Sequence, residues 1–137
     1  MRTANDILAR SQDYSDFDLA FRKSAVTNDL TKKRGAEAVK QSVLNILLTG
    51  QGERPFMPAF GGNVRAYLFE HFDSVTEEVV AEQIRTALRN YEPRVRLEEV
   101  IVSADPDRNA IDVRLEIEIL TPTQQTTTVE FTVERQR

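Results

Sequence analysis

An α+β fold is predicted by three features of this chain. Residues 36–49 and 74–91 carry apolar side chains at helical spacing, and from residue 100 onward the pattern changes to strict alternation. About three helices are expected to pack on one face of a small, largely antiparallel sheet that ends in a C-terminal β-meander. The 137 residues suit one domain with one modest core. Residues 1–16 are polar and read as an N-terminal arm, leaving 17–137 as a single domain.

The elements follow in order. "FDLAF", Phe17 to Phe21, alternates and reads as a short strand, and the turn-rich "VTNDLTKKRG" follows it. The first helix is expected over Ala36 to Thr49, with Val39, Val43, Ile46 and Leu47 on one face and Gly50 as the C-terminal cap. "GQGERPFMPAFGG" then mixes glycine and proline with Phe56, Met57 and Phe60. Such a loop either plugs its own core or receives a partner. Because it links two helices, Phe56 and Phe60 are expected to turn inward as a plug, with Met57 outward.

A short helix is expected from Asn63 to about Glu70, with Val64, Tyr67 and Leu68 inward. The next helix opens on Ser74 and Glu77, the spacing of a capping box, and carries Val75, Val79, Ile84, Leu88 and Tyr91 as its inward stripe. Pro93 stops it. Val100 and Val102 begin the sheet. Ile111, Val113, Leu115, Ile117 and Ile119 alternate with polar residues, and Val129, Phe131 and Val133 do the same in the last strand.

Composition narrows the function classes. Net charge is −4, which gives no electrostatic case for nucleic acid or an anionic membrane. There are no cysteines, so disulfides and thiolate metal sites are excluded. No apolar run approaches the ~20 residues that span a bilayer, and the first residues are too polar for a secretory signal. His71 is the single histidine, and a lone histidine beside phenylalanines reads as structural or surface. No phosphate-cradling glycine loop and no nucleophile elbow is present.

Paired carboxylates are the remaining route to catalysis, since a glycosidase needs only two across a sugar-sized cleft. Glu53, Glu70 and Asp73 are the candidates, with exposure or pairing to Arg54 and Arg65 as the plainer reading. Glu92-Pro93-Arg94 is either an ordinary helix stop or a fixed polar hook for a partner. Arg94 is expected to be an exposed charge whose loss leaves the domain folded. The last strand, "TTTVEFTVE", has neither proline nor lysine to guard its edge, so it should accept a further strand. The function classes kept open are an assembly protein, a muramidase and a free regulatory domain.

Three stretches carry a resemblance. "SDFDLAF", "AVKQSVLNILLTGQGERPFMPAFGGNVRAYLFEHF" and "YEPRV" occur in the order and spacing of the T-even gene-25-like baseplate wedge proteins, a family related to a baseplate component of type VI secretion systems. The resemblance runs from about Tyr14 to Val133. It implies a structural, non-enzymatic role without cofactor in the tail baseplate of a virion, assembled in the host cytoplasm. Its implied partners are other wedge proteins and the tail sheath protein, with tube or hub proteins as neighbours and several symmetry-related copies in the baseplate. It assigns wedge-core contact to Glu92, Pro93 and Arg94. It assigns the sheath platform to the C-terminal strands, 98–134, here Thr128, Val129, Glu130, Phe131, Thr132 and Val133. Some relatives are called tail lysozymes, which the residue pattern here does not support.

Overall fold

The structure is a computed structural model and describes residues 15–18, 20, 22, 32–70, 73–120 and 125–134. His71 and most of residues 1–16 lie outside these. The chain divides into two compact units, residues 1–41 and 42–137.

In the first unit, β1 (Ser15–Phe17) pairs antiparallel with β2 (Lys32–Arg34), Ser15 opposite Arg34. β1 ends at Phe17, where the strand to Phe21 was expected to begin; Leu19 and Phe21 lie outside the described residues. Asp18 is the cause: its side chain is buried and turns back to accept from the Ala20 amide at 3.1 Å, an Asx-type turn that takes the backbone out of extension. Helix α1 (Ala36–Leu48) follows Gly35, whose φ of 59° suits a residue without Cβ.

The second unit holds the end of α1, a 3-10 helix (Val64–Phe69), α2 (Ser74–Tyr91) and a three-stranded antiparallel sheet in the order β3-β4-β5. These strands are β3 (Val95–Asp105), β4 (Ala110–Ile119) and β5 (Gln125–Glu134). β4 is central, and its Ile111, Val113, Leu115, Ile117 and Ile119 are all buried, as a strand with one dry face requires. They meet Val43, Ile46 and Leu47 of α1, Val64, and Val80, Ile84 and Leu88 of α2 in one core. Fully burying each such side chain stabilises by ~1.5–3 kcal/mol.

The two helices depart from expectation at specific points. Gly50 does not adopt a positive φ; Gly52 and Gly61 do. The N-cap of α2 is Asp73 rather than Ser74, its carboxylate accepting from the Thr76 amide at 2.8 Å and the Thr76 hydroxyl at 2.9 Å. Only part of the α2 stripe points inward. Ile84 and Leu88 are buried and Tyr91 half-buried, whereas Val75 is 67% and Val79 47% exposed. From Val79 to Ile84 is five residues, about 140° around a helix of 3.6 residues per turn, so the two groups occupy opposite faces. Val80 and Ala81 supply the inward turn instead.

Candidate docking surfaces

Three places in the second unit combine unusual chemistry with access, and each is built by the local fold. The first is the end of α2. Glu92 is its C-cap residue, its amide donating to the Leu88 carbonyl at 2.9 Å. Its side chain is only 2% exposed and faces inward. Arg94 grips the carboxylate with two charge-assisted bonds, Nε to Oε1 at 2.5 Å and Nη2 to Oε2 at 2.7 Å. The Ser42 hydroxyl of α1 donates to Oε2 at 2.5 Å. Burial pushes the Glu92 carboxyl up and is the largest single influence. The bond from Arg94, then that from Ser42, outweigh it and hold the group below the ordinary carboxylate value, and so charged.

Glu-Pro-Arg is thus more than a surface hook. Arg94 neutralises a buried charge and is itself only 28% exposed, which corrects the expectation of a freely exposed guanidinium. Pro93 stands exposed between the paired residues. Ser42 was missed in the sequence because nothing local marks a serine on a helix as the partner of a carboxylate fifty residues on.

The second place is the 50–62 loop. The Gly52 amide donates to the Pro58 carbonyl at 2.8 Å, and two tight turns shape the same loop, the Met57 amide donating to the Arg54 carbonyl and the Phe60 amide to the Met57 carbonyl. The stem is fixed to α1: the Gly62 amide reaches the Ile46 carbonyl at 2.9 Å, and a Cβ at Gly61 would collide with the Thr49 carbonyl oxygen. Phe60 is the plug, buried with its ring centroid 4.8 Å from that of Tyr91 and with the Arg54 guanidinium 3.9 Å above it. Phe56 is not a plug. It is 97% exposed at the loop tip, because closure of 52 on 58 directs the intervening residues away from the core. Met57 is partly exposed, as expected.

The third place is the free edge of β5. The Leu120 amide donates to the Arg94 carbonyl at 2.9 Å, which turns the backbone groups of even-numbered β4 residues toward β3 and those of odd-numbered ones toward β5. The register places Leu115 opposite Val129 and Glu116 opposite Thr128. The amides of Val129, Phe131 and Val133 therefore face β4, and those of Thr128, Glu130 and Thr132 face outward. Among the described residues no strand pairs with that side. β5 keeps one register throughout, whereas β3, the other edge, is interrupted by a bulge between Leu97 and Glu99. Val129 and Val133 are buried, Phe131 is half-buried, and Thr128, Glu130 and Thr132 are exposed.

The catalytic candidates do not assemble. Asp73 is engaged as a helix cap, and Glu53 and Glu70 are exposed. Glu70 shares a cavity of about 280 Å³ with Asp105, but not with Glu53 or Asp73. Asp105 is committed to the β3–β4 turn: Arg108 donates to it at 2.6 Å and, with the Arg108 and Asp107 amides, holds its carboxyl below the ordinary range. A carboxyl held charged is unsuited to act as a general acid.

Residues 33–133 match a family model described as "Baseplate wedge protein gp25". The chain belongs to that family. It is 39% identical to the baseplate wedge protein gp25 of Enterobacteria phage T4 over 82 residues, 60% of this chain, and it spans 61% of the length of that relative. The fold is similar to that of a Geobacter sulfurreducens protein given a provisional tail-lysozyme name (TM-score 0.64, 22% identity, 74% of this chain and 91% of that one). It is also similar to a chain of the anti-feeding prophage baseplate (TM-score 0.63, 23% identity, 92% and 90%). This gp25-family chain therefore shares its α+β fold with proteins of contractile-tail and related baseplates.

Proposed function

We propose that this gp25-family chain is a structural, non-enzymatic baseplate subunit. It joins the wedge core through the end of α2 and offers the edge of β5 as the platform on which sheath assembly starts by strand addition. The observation that carries the reading is that edge: ten register pairs without a bulge, with outward amides at Thr128, Glu130 and Thr132 and neither proline nor lysine among its residues. In strand addition the main chain supplies affinity, and alternating side chains supply register. Here Val129, Phe131 and Val133 lie on the core side, and Thr128, Glu130 and Thr132 on the wet side.

The wedge-core role rests on Glu92, Pro93 and Arg94. Their internal clamp fixes the turn after α2, so a partner meets it in one conformation and little ordering is needed on binding. The partners are other wedge proteins and the sheath protein, with tube or hub proteins nearby and several symmetry-related copies in one baseplate. The place is the tail baseplate of a virion, built in the host cytoplasm. The symmetrised baseplate that contains a similarly folded chain supports the multiple copies.

The muramidase reading is the alternative, because one similarly folded protein carries a provisional lysozyme name. The scattered carboxylates count against it. The pure protein should release no reducing sugar from peptidoglycan above background, and baseplates lacking it should fail to nucleate sheath. Turnover abolished by Glu53→Gln or Asp73→Asn would overturn the non-enzymatic reading.

A further inference from the structure

The backbone edge of β5 is uniform, so main-chain bonds alone do not fix where an added strand sits. A slip of two residues would keep every side chain on its proper face. A groove of about 490 Å³ lies beside that edge at Thr132, Val133 and Glu134, with Leu48 of α1 and Leu68 and Phe69 of the 3-10 helix completing its apolar lining. The lining shows where the groove opens. The Thr132 hydroxyl donates to Asp112 at 2.6 Å, and Glu134 lies 4.0 Å from Arg108, which also holds Asp112, so both side chains stand on the wet face. Val133 is buried on the core face. Residues from both faces of one strand border a single groove along an open edge, and β4 covers the other edge of β5. Leu48 and Leu68 pack only partly against the core, and Phe69 is 69% exposed.

We propose that this groove takes one large apolar side chain of the strand added to β5, the residue that stands beside Val133, and so sets the register of that strand. The inference rests on the strand-addition reading and names the residue pattern that the partner must carry. Alternate residues of an added strand face the core side. The one beside Val133 enters the groove, and the one two positions away covers the half-buried Phe131. The residue between them stands on the wet face beside Thr132 and is free to be polar. Arg65 and Glu134, the charged residues of the lining, are opposite in sign, so shape and hydrophobicity decide rather than charge. The occupant is an extended segment, because the outward backbone groups of β5 beside the groove call for main-chain partners, and a helix uses its own internally.

The test uses the full chain in baseplates assembled with the sheath protein encoded beside it. A photo-crosslinking phenylalanine analogue at position 69 should link to one apolar residue within an extended segment of the sheath protein. Phe69→Asp should leave the urea midpoint of the isolated chain unchanged and the baseplates complete, and should lower the number of sheathed particles roughly tenfold, as loss of an anchor pocket does, while Phe69→Leu keeps them. Links spread over several sheath residues, to a helix, or to a second copy of this chain would overturn the inference, as would normal sheath on Phe69→Asp baseplates. If Phe69→Asp lowers the midpoint, the crosslink decides. Thr128→Pro, run in parallel, separates the groove from the platform. Sheath lost with Thr128→Pro but normal with Phe69→Asp removes the groove and leaves the platform standing. Sheath lost with Phe69→Asp alone would mean that the groove serves something other than a strand at β5, and overturns the inference. Normal sheath with both variants removes the platform, and the groove falls with it.

Discussion

Replacing Arg94 by alanine removes both charge-assisted bonds to a carboxylate that is 2% exposed and leaves it, among the described residues, only the Ser42 hydroxyl. Breaking a buried ion pair from one side costs ~3–5 kcal/mol. Arg94 is 28% exposed, so water can enter part of the space it vacates. The expected loss is therefore somewhat smaller, ~2–4 kcal/mol. For a cooperative unit of about a hundred residues this lowers the melting temperature by roughly 10–25 °C. Urea denaturation followed by circular dichroism measures it, with an unchanged slope showing that the folded and unfolded states keep their compactness. A double-mutant cycle with Glu92→Gln separates the pair from its surroundings. Once the charge is gone, Arg94→Ala should cost far less, giving a coupling of ~1.5 kcal/mol or more. A loss below ~0.5 kcal/mol, typical of an exposed pair, would refute the clamp and return Arg94 to the surface.

The same carboxylate sets a pH response. Its folded pKa lies below the ordinary 4.5, so its stabilisation is fully present above about that pH and is lost as pH falls through the folded value; Glu92→Gln should flatten this part of an acid-unfolding curve. Phe60→Ala should destabilise by ~3–5 kcal/mol through the cavity left beside Tyr91, whereas Phe56→Ala should stay within ~0.5 kcal/mol of wild type; thermal melts of the pair check the division of roles within one loop. Gly61→Ala forces a Cβ onto the Thr49 carbonyl at a φ of 116° and should cost at least ~1–3 kcal/mol, seen as a lower urea midpoint.

The sheet was legible because alternation is a strict code: Ile111 to Ile119 can be dry only on one side, and the structure buries all five. Helix α2 was half legible. Its apolar residues lie on two faces, and sequence alone does not say which valine belongs to the core and which is left outside. Ser74 and Asp73 are both good caps, and only the hydrogen bond to Thr76 distinguishes them. Phe56 and Phe60 sit in a loop without periodicity, so their opposite fates depend on the closure of Gly52 on Pro58. The Glu92 clamp joins α1 to the end of α2, and a contact that distant leaves no local trace. The family resemblance reached the right family, but it assigned Glu92 and Arg94 to a wedge-core contact without revealing their internal pairing.

Sheath growth on baseplates that carry Thr128→Pro tests the platform most directly. The Thr128 amide faces away from β4, so proline there removes no bond within the sheet and the chain should fold and enter baseplates normally. It does remove one donor from the outer edge and places a ring against any added strand. Electron microscopy of assembled particles should then show complete baseplates without sheath. Sheath of normal length on baseplates containing the variant would contradict strand addition at β5 and place the platform elsewhere in the chain.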